Sequence, residues 1–164
     1  MWLGILFIAI GIFARVIPHV PNFSPLAAVA LFSGLYINKK HGYLIPLAIY
    51  IISDAILGFH NTVAFTWLSI IIIYFLGIKL RQRKTAVNTI VYTLFSSLLF
   101  FIVTNFGVWA MGWYPPTIDG LIRCYVLALP FFRMSLIANF AYVFVFFGSY
   151  EYFLSRYKLA RQAF

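Results

Sequence analysis

Six apolar segments, at 2–17, 24–37, 43–59, 62–79, 86–113 and 127–154, take up most of a 164-residue chain. A helix needs about 20 residues to cross about 30 Å of hydrocarbon. The run at 86–113 exceeds that length without one charged residue. In lipid every backbone polar group must be satisfied internally, so such segments have to be helical. The expected fold is all-α: a polytopic membrane protein forming a single six-helix bundle over 1–164.

Composition agrees. Only 9% of residues are charged and 64% are hydrophobic, whereas a soluble domain carries about 25% charged residues. The net charge of +9 would suit a polyanion, but its placement argues otherwise. Lys39 and Lys40, then Lys79, Arg81, Arg83 and Lys84, then Arg156, Lys158 and Arg161 follow the second, fourth and sixth segments. They would all reach one side of a membrane, and the positive-inside rule makes that side cytoplasmic, with both termini there. Nucleic acid is not an expected partner; the lipid bilayer is. The clustered cations then serve as a topology signal, with no further role. The loops Gly58–Thr62 and Tyr114–Gly120 carry no Lys or Arg and belong outside. Tyr36, Tyr43, Trp109, Trp113, Tyr114 and Tyr152 near segment ends suit the interfacial aromatic belt. The N-terminal run has no Lys or Arg ahead of it and no convincing cleavage site, and reads as a retained first span.

The first two segments are short, and Pro18, Pro21 and Pro25 lie between them. Proline lacks the amide donor and disfavours helix in the residue before it. Irregular backbone at membrane depth survives only against protein or a wet cavity. This loop either dips into the bundle over a cavity or is an ordinary external loop. Ala30 and Gly34 form a small-residue pair of the kind that permits close helix packing.

The remaining cations, Arg15, Arg123 and Arg133, map to the outer side together with His19, Asp54, His60 and Asp119. Asp54, inside an apolar run, costs at least ~2.5 kcal/mol unless paired or hydrated. Its natural partners are Arg133, Arg15 or Arg123, and Arg133 is favoured. The pair is either a structural salt bridge or part of a ligand pocket. Arg133 offers five donors to an anionic or amide-rich ligand, or else snorkels to headgroups; Arg15 has the same alternatives, and Arg123 reads as interfacial. His19, between prolines, either hydrogen-bonds a ligand or is a satisfied loop residue. Asn105 needs a partner, from a neighbouring helix or from a ligand. Trp109, Trp113, Tyr114, Tyr125, Phe131 and Phe132 crowd the outer end, and a subset around a cavity would suit a flat ligand. Cys124 is either a small packing residue or a thiol activated by Arg123. No His, Cys or Asp cluster has metal-ligand spacing, no cofactor fingerprint occurs, and no nucleophile motif or carboxylate pair supports catalysis. A carrier or scaffold is expected rather than an enzyme.

The run Arg15-Val-Ile-Pro-His19-Val-Pro-Asn22-Phe-Ser-Pro25 through Gly34 resembles the opening of a family of small bacterial transport proteins. Ser53-Asp54 with Gly58-Phe59-His60, Asn105-Phe-Gly-Val-Trp109, Tyr114-Pro115, and Gly120 through Arg133 are similar to the same family. It includes the solitary cobalamin transporters called BtuM, which are similar to the substrate-binding S-components of energy-coupling factor (ECF) transporters. The resemblance implies a six-helix S-component-like fold in the bacterial inner membrane, with an outward pocket under loops. It implies vitamin uptake, with cobalamin or a related corrinoid as substrate, and His19, Asp54, Asn105, Trp109 and Arg133 at the pocket. The alternatives are another vitamin or nucleobase-like precursor on the same fold, or a non-transporting membrane scaffold. Two departures stand out. The stretch Val63–Ser69 lacks the cysteine with which the cobalamin carriers ligate cobalt. Gly4, Ala9, Gly11 and Ala14 lack the four-residue spacing expected for docking an ECF energising module.

Overall fold

The computed structural model describes residues 10, 12–13, 15–17, 22–37 and 42–162, with side chains to 156. Five helices run through these: α1 (Leu26–Tyr36), α2 (Leu44–Leu57), α3 (Val63–Gln82), α4 (Ala86–Val108) and α5 (Ile118–Gln162). The apolar segments at 24–37, 43–59, 62–79 and 86–113 correspond to the first four, the last of them completed by a π-helical turn at Trp109–Trp113. The expected six-helix count becomes five here, because the segment at 2–17 lies largely outside the described residues. Of its described residues, Ile10, Ile12, Phe13, Arg15 and Val16 are helical and Ile17 forms a bend.

The last element differs most from expectation. The sequence suggests a span from 127, preceded by a connection, yet α5 starts at Ile118 and runs for 45 residues through Pro130. At 1.5 Å per residue that is about 67 Å, roughly twice the hydrocarbon thickness. Residues 118–126 read as connection because they carry Asp119 and Arg123, but these sit one helical turn apart and pair at 2.8 Å on the exposed face. Such i,i+4 pairs support helix rather than break it. Three stretches, Val63–Gln82, Ala86–Trp113 and Ile118–Arg156, are long and apolar enough to cross a membrane.

The core is built on the shortest helix. α1 has 11 residues, about 16 Å, and every residue from Ala28 to Leu35 is buried. It lies against α3 at a backbone-to-backbone crossing. A Cβ on Gly34 would fall 2.0 Å from the Tyr74 carbonyl oxygen and 2.8 Å from Gly77 Cα. One on Gly77 would fall 2.3 Å from the Leu31 carbonyl oxygen. Gly34, expected to pair with Ala30 as a packing motif, thus finds its close partner in Gly77. No larger residue fits either site without parting the helices.

The end of α1 is closed by a cation from α3. Arg81 donates to the carbonyls of Gly34 at 2.6 Å, Leu35 at 2.8 Å and Ile37 at 3.2 Å. These are the orphan carbonyls of a helix C-terminus, where a positive charge is favoured. Nearby, Lys84 pairs with Glu151 of α5, and the Tyr36 hydroxyl donates to the same carboxylate at 2.5 Å. Two cations read as pure topology signals therefore also hold α1 in place. Tyr36, expected in the aromatic belt, packs inward with Phe32, its ring centroid 4.6 Å away, and with Tyr150 at 4.3 Å.

Candidate ligand cavity

The opposite end of the bundle, remote from Arg81 and Lys84, contains a cavity of about 420 Å³. It is bounded by Arg15, the start of α1, the ends of α2 and α4, Thr66 of α3 and the middle of α5. Its walls are aromatic where Phe100 and Phe101 of α4 face Phe131 and Phe132 of α5, with the rings of Phe101 and Phe132 4.7 Å apart. Its polar groups are mostly uncharged: Asn22, Ser24, Thr66, Ser97, Thr104, Asn105, Ser135 and Asn139.

The described end of the proline-containing loop takes part. Asn22 and Ser24 line the cavity, Pro25 is buried, and the Phe23 ring packs on Tyr142 at 5.6 Å. Asn22 adopts φ 63, a left-handed conformation that asparagine tolerates better than most residues. His19 lies outside the described residues, as do Pro18 and Pro21.

Helix α4 can present hydroxyls inside an apolar element because each is tethered to its own backbone. Thr93 donates to the Thr89 carbonyl at 2.7 Å, Ser97 to that of Thr93 at 3.1 Å, and Thr104 to that of Phe100 at 2.7 Å. This i−4 bonding satisfies the hydroxyl proton and leaves oxygen lone pairs for a further donor. Asn139 of α5 uses one: its amide nitrogen donates to Ser97 Oγ at 2.8 Å, joining α4 to α5. Asn139 is 2% exposed, and its carbonyl oxygen has no hydrogen-bond partner. Ser24 Oγ is likewise buried without a partner. Unpaired buried polar atoms are rare in folded proteins and each needs a reason. Of the four such atoms among the described residues, Asp54 Oδ1 is ion-paired with Arg15 and Ser33 Oγ lies in α1 outside the cavity lining, whereas Asn139 and Ser24 both line the cavity.

Beside the cavity lies the ionic centre. Asp54, 1% exposed, meets Arg15 at 2.6 Å, and the Trp67 indole donates to its second oxygen at 2.9 Å. Arg15 also donates to Ser53 Oγ at 2.7 Å, and its guanidinium carbon stands 4.4 Å from the centroid of the Tyr50 ring. Asp54 therefore has the cation that its depth demands, but the cation is Arg15. Arg133, favoured from sequence, is exposed on α5 with no ion pair among the described residues. Phe132, Ser135 and Asn139 occupy the cavity side of that helix, and Arg133 falls away from them.

Of the other expected site residues, Asn105 lines the cavity and donates to the Phe101 carbonyl at 2.8 Å. Trp109 does not line it; its indole donates to the Pro115 carbonyl at 3.0 Å, in a separate hollow formed with Trp113 and Tyr114. Cys124 is buried against α4, where its thiol meets the Asn105 carbonyl at 3.4 Å. Among the described residues no three His, Cys, Asp or Glu side chains converge as a metal site would require.

The sequence reading passed over Asn139, Ser97 and Trp67. Asn139 stands in an apolar run just as Asn105 does, so the signal that singled out one applied to both. Trp67 gives no such sign, because its value lies in an indole proton aimed at an acid on another helix.

The described residues form an all-helical protein with segments of membrane-crossing length and a mostly apolar, hydrogen-bonding cavity at one end, with a second hollow of about 460 Å³ beside Tyr36, Lys84 and Glu151 at the other. The chain belongs to the family of unknown function DUF6580, which matches residues 1–162. No curated protein and no solved structure matches it.

Proposed function

We propose that this chain is a multi-pass membrane carrier that takes up a small, uncharged, ring-bearing molecule of the vitamin or nucleobase-precursor kind. The observation that carries the reading is the pair of orphaned acceptors, Asn139 Oδ1 and Ser24 Oγ, beside an aromatic-walled cavity of about 420 Å³. Small-molecule sites occupy about 300–1,000 Å³ and combine apolar walls with a few convergent polar groups. The positive-inside rule supports the orientation: the Lys79–Lys84 cluster would lie in the cytoplasm, with the cavity at the outer end. In a bacterium the membrane would be the inner one, with both termini cytoplasmic.

The corrinoid expectation fares less well than its alternative. A corrinoid is far larger than a drug-sized ligand, and this cavity falls in the lower part of that range. Val63–Ser69 offers no thiol, and Cys124 is buried away from the cavity lining. The reading that fits is the same carrier with a smaller ligand. Liposomes containing only this protein should accumulate a labelled small vitamin or nucleobase from a screened panel. Protein purified from cobalamin-supplemented cells should be colourless. Corrinoid absorbance in the purified protein would overturn the size argument. Panel-wide failure to bind or accumulate would overturn the carrier reading and favour a membrane scaffold.

A further inference from the structure

Among the described residues Arg15 is the only cation lining the cavity, and its charge is already answered. Asp54 holds it at 2.6 Å from a position that does not itself line the cavity, and Trp67 fixes the carboxylate from the other side. A ligand entering the cavity meets a guanidinium whose counter-charge stands behind it. The other polar groups that line it among the described residues are neutral, and Asn139 Oδ1, buried at the cavity's edge, has no donor.

We propose that Asp54 sets the charge selectivity of the cavity. By neutralising Arg15 it makes the site one for flat, uncharged ligands carrying N–H donors, primary or cyclic amides above all, and excludes the corresponding carboxylates. The inference rests on reading the cavity as a binding site. Its physical basis is desolvation: an ionised carboxylate would leave water for a wall of phenylalanines and find no uncompensated cation. It would also face the Asn139 lone pair. An amide N–H supplies what that oxygen lacks, and its ring can stack offset on Phe101 or Phe132. Asp54 touches no ligand in this account; it acts through Arg15, so its removal should alter which ligand binds and not only how tightly.

The test uses the full chain in detergent at pH 7 with three amide–acid pairs of near-identical shape: nicotinamide and nicotinate, benzamide and benzoate, indole-3-acetamide and indole-3-acetate. Binding is read by calorimetry and thermal shift. Wild-type protein should prefer the amide in every pair that binds, by roughly tenfold or more. Asp54→Asn exposes an unneutralised guanidinium to the cavity and should move the ratio toward the acid by roughly tenfold. Asp54→Ser, which leaves room for a water against Arg15, should move it the same way if the asparagine variant does not fold. Adding Arg15→Gln to either variant should abolish the gain in acid binding. Equal binding of amide and acid by wild type overturns the proposal while the binding site stands, as does an unchanged ratio in a folded Asp54 variant. If no member of any pair binds wild type, the reading of the cavity as a binding site falls, and this inference with it.

Discussion

The two ends of this bundle each contain an acid–base pair, and the pairs differ chiefly in burial. At the cavity end, the Arg15 and Asp54 side chains are 16% and 1% exposed; at the other, those of Lys84 and Glu151 are 38% and 43% exposed. A half-exposed pair pays little desolvation and gains little. The buried pair pays heavily, and apolar side chains of the same volume would often hold the helices as well. Lys84–Glu151, helped by Tyr36, is explained by tying α1 and α5 together. A hollow of about 460 Å³ adjoins Lys84 and Glu151 as well. What sets Arg15–Asp54 apart is a fully buried acid standing behind the cation that lines the other cavity, where neutralising that cation has a consequence for what can bind.

This contrast can be broken in graded steps. Asp54→Ala leaves Arg15 and the Trp67 indole without their acceptor; a loss of about 3–5 kcal/mol is expected, seen as the largest fall in melting temperature in detergent. Replacing both partners, as Arg15→Met with Asp54→Leu, should recover most of that stability while abolishing selection of amide over acid. Failure to recover would make the pair structural and remove the contrast. Arg81→Met uncovers three carbonyls at the end of α1 and should cost about 1.5–3 kcal/mol. Glu151→Gln should cost less than about 1 kcal/mol, an effect that shrinks further with added salt. Arg133→Gln, on the exposed face of α5, should change neither melting temperature nor ligand binding. A loss of ligand binding there would restore the role that sequence suggested for it.

Much of this arrangement was legible from residue order, because burial in an apolar run constrains a polar group wherever it points. Asp54 in such a run had to have a cation, and it has one. The proline-containing loop left two alternatives, dipping into the bundle or passing outside it; of its described end, Asn22 and Ser24 line the cavity. Cys124 serves as the small packing residue that was one of its two readings. Helix rotation was not legible. Asp54 could not name Arg15 over Arg133, because a few residues of register decide which face of α5 turns inward. Trp109 was misjudged for a similar reason: the π turn and Gly112, at φ 83, fold Pro115 back under its indole. Arg81 looked like one more basic-cluster residue, since nothing near it in sequence shows that α1 ends within its reach. The start of α5 was obscured by its charges, which read as a connection until their one-turn spacing met in space.

The central claim is that the cavity between α1, α4 and α5 holds a small molecule. Ala128, 8% exposed, lines it from α5, and tryptophan at that position would fill part of the space. The most direct measurement is mass spectrometry of small molecules released from protein purified out of native membranes, with Ala128→Trp purified alongside. Wild type should release one uncharged, amide-bearing compound at near-stoichiometric yield, and folded Ala128→Trp should release none. The same compound at equal yield from both proteins, or none from wild type, would contradict the account.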